Sequence, residues 1–407
     1  MVSGLELGLR VGYSAEYTTN TALEADNEVD EWIHRPDAEL TAKHMSPSTE
    51  LSAGYTVRRD IFSEGRFNDR TITTGLSRVT WQALPDRLSF NLSNIRTETT
   101  IASTGEDIPN NRQVIDTTDA STTLTIPSIG NHYLQLGYDY GIRNADETNT
   151  DNRRSSANIA YVMPLGETRQ LQVNATQSDV NFDGESATDY TSRTGNIQYQ
   201  SDSDILELSI ALGFTEFDRE LGRKTVKGGS GSLNAIWQIT NETSFSLNYS
   251  RSLRDTSADV LRGTNDFGER FTQNTGLTEA FWNTDTTMTL ASAIGQTFFS
   301  LGSYYRKLDY QDTPDDQTSK GIIISLNRAL RRDLDLHIST NLGETDFTQQ
   351  NRTDDTVRVY AELSWTRFRK LDLSFMLRYN ERDSDLPTSD YKETAGLLRI
   401  SYQLFGG

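Results

Sequence analysis

Three observations predict an all-β chain folded as a transmembrane, up-and-down antiparallel β-barrel of about twenty strands. Apolar and polar residues alternate in segments about ten long from Leu5 to Phe405, a period of two that only an extended strand presents. The segments are separated by turn residues, and the separators alternate between tight turns and longer polar loops. No apolar run is long enough for a helical span, and no helical stretch covers either face of the strands. Lipid outside and water inside account for all three.

Taken in order, the first strand sets Leu5, Leu7, Leu9, Val11 and Tyr13 against Glu6, Gly8, Arg10 and Gly12. Tight turns are expected at Ser46-Pro47, Leu84-Pro85-Asp86, Ser128 to Asn131, Leu165-Gly166-Glu167, Asp202-Ser203, Thr240-Asn241, Ile294-Gly295, Arg331-Arg332 and Phe368-Arg369-Lys370. Between them fall polar loops near 21–28, 63–69, 103–113, 147–151, 184–188, 221–225, 259–283, 312–317, 350–354 and 386–390. Nine turns and ten loops make twenty strands. Near 132–146, Leu134, Leu136, Tyr138, Tyr140 and Ile142 face lipid while Gln135, Asp139 and Arg143 face the lumen. Near 204–220, Leu206, Leu208, Ile210, Leu212 and Phe214 alternate with Glu207, Ser209 and Gly213. The segments 69–83, 284–293 and 296–311 mix their faces, so eighteen strands is the alternative count. The last strands set Leu371, Leu373, Phe375, Leu377 and Tyr379, then Leu398, Ile400, Tyr402 and Leu404, on the apolar face. An even number puts both termini on the periplasmic side of a bacterial outer membrane.

Composition fits this reading. The chain has 407 residues, only 35% of them hydrophobic, and a mean hydropathy of -0.60. Those values alone would suit a disordered chain, but Phe, Tyr and Trp make up 9% and fall in register, which disorder does not produce. Nothing divides the sequence, so residues 1–407 form a single barrel. Met1-Val2-Ser3 leads almost directly into the first strand, and we expect a secretion signal to have preceded it. The chain has no Cys, as suits an oxidising periplasm, which excludes disulfides and Cys-attached haem. A net charge of -19 argues against nucleic acid as a partner. The acids gather in loops, as in Glu24, Asp26, Glu28, Asp30 and Glu31, where they are solvated or bridge divalent cations at the cell surface.

Twenty strands tilted by about 40° would give a backbone diameter of roughly 40 Å, too wide for side chains to fill. The strands consume nearly the whole sequence, leaving no N-terminal plug. The spare mass is the loop 259–283, whose Phe267, Phe271, Phe281 and Trp282 are too apolar for a solvated connection. We expect this segment to gate or cap the lumen, unless it only extends two strands above the membrane. Inward parity collects Arg10, Arg58, Arg143, Arg306, Arg358, Arg378 and Arg382, accompanied by Glu6, Asp139, Glu207, Asp335, Glu362 and Asp372. These line the pore either as cross-strand ion pairs that stiffen a wet wall or as a guanidinium ladder for an anionic polymer. Trp81, Trp237 and Trp365 sit a few residues from the tight turns, as membrane-interface aromatics do.

Reactive constellations are scarce. His34, His44, His132 and His337 are scattered without metal-ligand spacing, and only His337, beside Asp335, could enter a triad. Gly228-Gly229-Ser230-Gly231 lacks the Lys-Ser/Thr of a phosphate loop and reads as a glycine-rich strand end. No catalytic residue, metal or cofactor is expected. The final strand, Gly396 through Phe405, resembles the C-terminal signal read by the barrel-assembly machinery, although Gly406-Gly407 follows it.

Gly276-Leu277-Thr278-Glu279-Ala280-Phe281, the hairpin Leu290 to Tyr305 with Thr297-Phe298-Phe299-Ser300-Leu301, and Arg306-Lys307-Leu308-Asp309-Tyr310 carry a resemblance. The chain resembles the outer-membrane barrels associated with exosortase and exopolysaccharide (PEP-CTERM-type) systems of Gram-negative bacteria. The resemblance implies a conduit for a secreted polysaccharide, set in lipid and lipopolysaccharide and served by periplasmic export partners. A general or solute-specific porin is the alternative within transport, and the sheath of a porin-cytochrome conduit is a further variant. From another class, a structural or adhesive surface protein would work through its acidic loops.

Overall fold

The computed structural model describes residues 4–101, 108–148, 150–184, 188–220, 224–255, 280–313, 315–348, 350–367 and 370–406. They form one closed sheet of twenty antiparallel strands. The first ten are β1 (Leu5–Thr18), β2 (Glu31–Met45), β3 (Thr49–Phe62), β4 (Arg70–Leu84), β5 (Leu88–Thr100), β6 (Arg112–Pro127), β7 (Tyr133–Ala145), β8 (Asn152–Pro164), β9 (Arg169–Phe182) and β10 (Tyr190–Asp202). The second ten are β11 (Leu206–Arg219), β12 (Val226–Thr240), β13 (Thr243–Asp255), β14 (Ala280–Ile294), β15 (Thr297–Tyr310), β16 (Gln317–Arg331), β17 (Leu334–Phe347), β18 (Arg352–Arg367), β19 (Leu371–Ser384) and β20 (Tyr391–Phe405). Each strand pairs with its neighbour in the chain, and β1 closes the barrel on β20 from Leu9↔Phe405 to Thr18↔Ala395. The three segments with mixed faces form β4, β14 and β15, so the count is twenty rather than eighteen.

Closure of β20 on β1 leaves every strand with a neighbour on both sides, which is what a membrane demands of strands. Local chemistry fixes the tight turns. Between β2 and β3, Ser46 N–H donates to the Thr49 carbonyl at 2.8 Å, and Thr49 N–H donates to Ser46 Oγ at 3.0 Å. The alternation then decides the faces. Leu7, Leu40, Val57, Leu92, Leu212, Ile322 and Leu398 stand exposed on one side, and Leu212 keeps 70% of its surface open. An apolar band left open in this way is a lipid-facing surface.

Outside the strands, the helical residues among those described are two single 3-10 turns, Pro109–Asn111 and Pro387–Ser389. No helix of the described residues is long and apolar enough to cross a membrane. No separate plug accompanies the barrel among the described residues. One boundary differs from the sequence reading. Ala280, Phe281, Trp282 and Asn283, expected at the end of the long loop, belong to β14, because Phe281 pairs with Tyr310 and Trp282 with Asp309. Phe267 and Phe271 of the same expected gate lie outside the described residues.

At the end with the short turns, Trp81 stacks on Phe90 with ring centroids 5.4 Å apart, and Trp237 is half exposed. Trp365 donates its indole N–H to Asp333 at 2.9 Å and lies under the Arg367 guanidinium. Toward the long loops, Tyr13, His34, Trp32 and Tyr17 form a second outward aromatic group, with Tyr17 and Trp32 centroids 5.3 Å apart.

Candidate pore wall

The twelve residues expected to line a pore lie, by strand parity, on the face opposite the apolar band. Arg10 pairs with Asp372 across β20, and its Nε also donates to Ser401 Oγ at 3.0 Å. Arg306 pairs with Asp285 at 2.9 Å, its direct partner in the ladder. Asp139 accepts from Asn158 at 3.3 Å, Glu362 accepts from the Tyr360 hydroxyl, and Arg143 is buried. Arg382 approaches Asp354 at 3.9 Å, and Arg358 lies opposite Asn341 and Asn380 in the ladders. Glu207 lies toward the short turns, and Asp335 lines a shallow recess with His337, whose Nδ1 is 2.5 Å from Asn327 Oδ1. No grouping of three or more potential metal ligands occurs among the described residues.

Near the long loops, the inner wall carries a continuous ionic belt. Arg378 bridges Glu393 at 2.8 Å and Glu16 at 2.9 Å; Glu16 also holds Arg35, which reaches Asp60 at 3.4 Å. Asp60 takes Arg58 at 2.8 Å and Arg70 at 3.1 Å; Arg70 continues to Glu98 at 2.8 Å, and Glu98 to Arg112 at 3.2 Å. The belt runs through eight neighbouring strands, from β19 across the closure to β6. Its acids Glu16, Asp60, Glu98 and Glu393 are buried against the wall, and their arginines lie over them with one edge toward the lumen. Charge-assisted bonds on both sides are what make burial of those carboxylates tolerable. A second crossing uses a missing side chain. Arg399 of β20 reaches Asp37 of β2 at 3.1 Å over the top of β1, where a Cβ on Gly12 would sit 2.6 Å from the Asp37 carboxylate.

The wall is not a plain cylinder at this end. Pairing between β4 and β5 stops at Gly75↔Arg96, leaving Arg70 to Thr74 and Thr97 to Thr100 apart. Pairing between β12 and β13 stops at Gly231↔Arg251 in the same way. Beyond each seam the following hairpin turns inward. Glu98 and Arg112, whose parity in β5 and β6 is that of the lipid face, meet Arg58 and Arg70 on the inner face of β3 and β4. Ile108, between β5 and β6, packs on Ile33, Phe62 and Phe67. At the second seam, Leu253 and Trp282, again of lipid-face parity, pack with Val180, Tyr190, Phe217 and Val226 on the inner face of β9 to β12. The Tyr190 hydroxyl donates to Asp255, and Arg154 of β8 lies 3.9 Å from the same carboxylate. The Trp282 ring comes so close to β12 that a Cβ on Gly228 would lie 2.7 Å from it. The glycine-rich strand end read from the sequence is the floor on which this ring rests.

Sequence parity missed the belt members Glu16, Arg35, Asp60, Arg70, Glu98, Arg112 and Glu393. Glu16, Arg35 and Asp60 continue the inward parity of β1, β2 and β3, and extending each strand to its loop would have reached them. Glu98 and Arg112 gave no signal, since only the seam brings them inside.

A closed, twenty-strand antiparallel barrel with an apolar outer band and a polar, ion-paired inner wall defines an outer-membrane β-barrel. Comparison with known proteins agrees. A family model described as "putative beta-barrel porin 2" matches residues 316–404. No curated protein matches the sequence. Among solved structures, the chain is similar to the FrpB iron transporter from Neisseria meningitidis, with a TM-score of 0.54 at 9% identity over 98% of this chain and 81% of that one. It is similar to a mutant of the ferric enterobactin receptor PfeA from Pseudomonas aeruginosa, with a TM-score of 0.57 at 9% identity over 98% and 81%. The siderophore receptor PirA from Pseudomonas aeruginosa gives 0.50 at 13% identity over 97% and 80%. At such identities the likeness is one of fold, that of Gram-negative outer-membrane barrels.

Proposed function

We propose that the protein is a non-enzymatic outer-membrane channel and that its cargo is a hydrophilic polymer, a polysaccharide exported through the lumen. The observation that carries this reading is the inner wall: polar, charge-compensated, and on a barrel with no separate plug among the described residues. Because Arg10, Arg58, Arg306, Arg378 and Arg382 each have an acid within reach, the wall suits a neutral or weakly anionic sugar chain better than a strong polyanion. Both termini are assigned to the periplasm, where export partners would deliver the chain, and the barrel-assembly machinery would read the last strand. Lipid and lipopolysaccharide are its surroundings.

Single-channel conductance in a planar bilayer, on the intact protein and on one lacking residues 259–279, which leaves β14 whole, tests the reading. A pore that opens further on deletion and is blocked by a neutral polysaccharide supports an export channel. Absence of conductance in both forms, with the barrel folded, overturns it. A general porin is the second reading, favoured by the description of the matching family model. It predicts a steady pore that passes small sugars in liposome swelling and ignores the polymer.

A further inference from the structure

The two seams lie eight strands apart, at β4/β5 and β12/β13, and the sequence around them repeats. Gly75, Trp81 and Gln82 of β4 correspond to Gly231, Trp237 and Gln238 of β12, and to Gly396, Tyr402 and Gln403 of β20. Each copy places a register shift just after the glutamine, between Gln82 and Leu84, Gln238 and Thr240, and Gln403 and Phe405. The likeness continues along the chain. Ser89-Phe90, Leu92 and Arg96 of β5 match Ser244-Phe245, Leu247 and Arg251 of β13. Leu206-Glu207-Leu208-Ser209 of β11 returns as Leu371-Asp372-Leu373-Ser374 of β19. Equivalent residues therefore end the pairing at both seams, Gly75 with Arg96 and Gly231 with Arg251. At the third position, β20 against β1, the ladder runs on to Thr18↔Ala395, and Glu393 there joins Thr18 and Arg378.

We infer that the barrel is an eight-strand unit used twice and begun a third time, and that its two inturned strand pairs, the loop-side ends of β5 with β6 and of β13 with β14, set the size limit for solutes at the loop-bearing mouth. This inference rests on the channel reading given above. Each hairpin takes wall that would otherwise stand upright and lays it over the inner face of the preceding strands, so each narrows the opening from its own side. The two are held differently. The first is ionic, through Glu98 with Arg58, Arg70 and Arg112. The second is mainly apolar, through Trp282 and Leu253, with Tyr190 and Arg154 among the polar partners of Asp255. A strand pair that leaves its neighbour at a seam can change its tilt without breaking the rest of the barrel, since the ladder there is already absent.

Because the chain has no native Cys, paired cysteines report docking directly. The test joins Val226→Cys to Leu253→Cys, and Ile33→Cys to Ile108→Cys, pairs within the two packed clusters that leave Trp282, Arg70 and Glu98 in place, with a short cleavable thiol cross-linker in the folded, heat-modifiable barrel. Unit conductance and the exclusion limit for neutral polyethylene glycols are then read before and after cleavage. They are compared with the undocking variant Glu98→Gln/Trp282→Ala. Expected are high cross-link yields at both seams, a narrow pore while linked, and a rise of roughly twofold in conductance for the undocked variant as the open cross-section widens. Failure to cross-link at either seam overturns the docking. Efficient cross-linking with the same conductance and exclusion limit in linked and undocked forms overturns the size limit alone. A folded pore that is silent in every form overturns the channel reading and the size limit with it, while the cross-link yield still reports the repeat's two docked hairpins.

Discussion

Glu16 holds two guanidiniums at once, Arg35 on β2 and Arg378 on β19, and is itself 4% exposed. Replacing it by Gln keeps its volume and removes a charge that faces both. The neighbouring carboxylates Asp60 and Glu393 already have their own arginines, so they compensate only in part. Because Arg35 and Arg378 keep one edge in lumenal water, the cost is smaller than for a fully buried pair, about 2 kcal/mol. We predict that Glu16→Gln lowers the thermal unfolding midpoint in detergent micelles. Lys320→Ala, which removes an outward pair to Glu344 with both side chains exposed to solvent, leaves the midpoint near the parent's. At this scale the sequence was informative about faces and silent about partners. Parity placed Arg378 and Asp372 on the inner side, but which acid meets which arginine depends on the stagger between strands. That stagger follows from the ladders and the shear of the closed barrel, which no single strand encodes.

The strands themselves were legible, since each needs only its own alternation and the turn residues at its ends. The inturned hairpins were not. Trp282 reads from the sequence as part of the long loop; in the structure Leu253 of β13 and Trp282 of β14 have lipid-face parity, and what changes is the surface that face meets once β13 leaves β12. The local cue was Gly228, whose missing side chain admits the Trp282 ring. Gly228→Val would drive side-chain atoms into that ring and lift the hairpin from the wall. Gly229→Val is its control, because nothing lies within 4 Å of a Cβ there. We predict that Gly228→Val speeds thiol labelling of a Leu253→Cys reporter and exposes Trp282 to a fluorescence quencher, whereas Gly229→Val leaves both near the parent. Equal labelling in the two variants would mean that the ring does not rest on β12.

For the whole molecule, a repeat of eight strands makes strand number adjustable in a way that an irregular barrel would not allow. Trp81 and Trp237 occupy the same lipid-facing position, followed by the same glutamine and the same register shift into the next strand. Joining residues 1–81 directly to residues 238–407 therefore fuses the upper part of β4 to the lower end of β12 and removes one unit. The resulting chain keeps the β3 partner of β4 on one side and gains β13 on the other, with Gly75 facing Arg251 as it now faces Arg96. Twelve strands remain, an even number, and the closure of β20 on β1 is untouched. Since diameter grows in proportion to strand number, the backbone diameter should fall from roughly 40 Å to roughly 24 Å. We predict a heat-modifiable barrel of smaller conductance that excludes polymers the parent admits. The informative control joins residues 1–79 to 238–407, which keeps the inside-outside alternation but puts β13 two residues out of step with β4. If the in-step and out-of-step chains fold equally well, or equally badly, the correspondence between the two units has no structural force; if only the in-step chain closes, the eight-strand unit is the element from which this barrel is built.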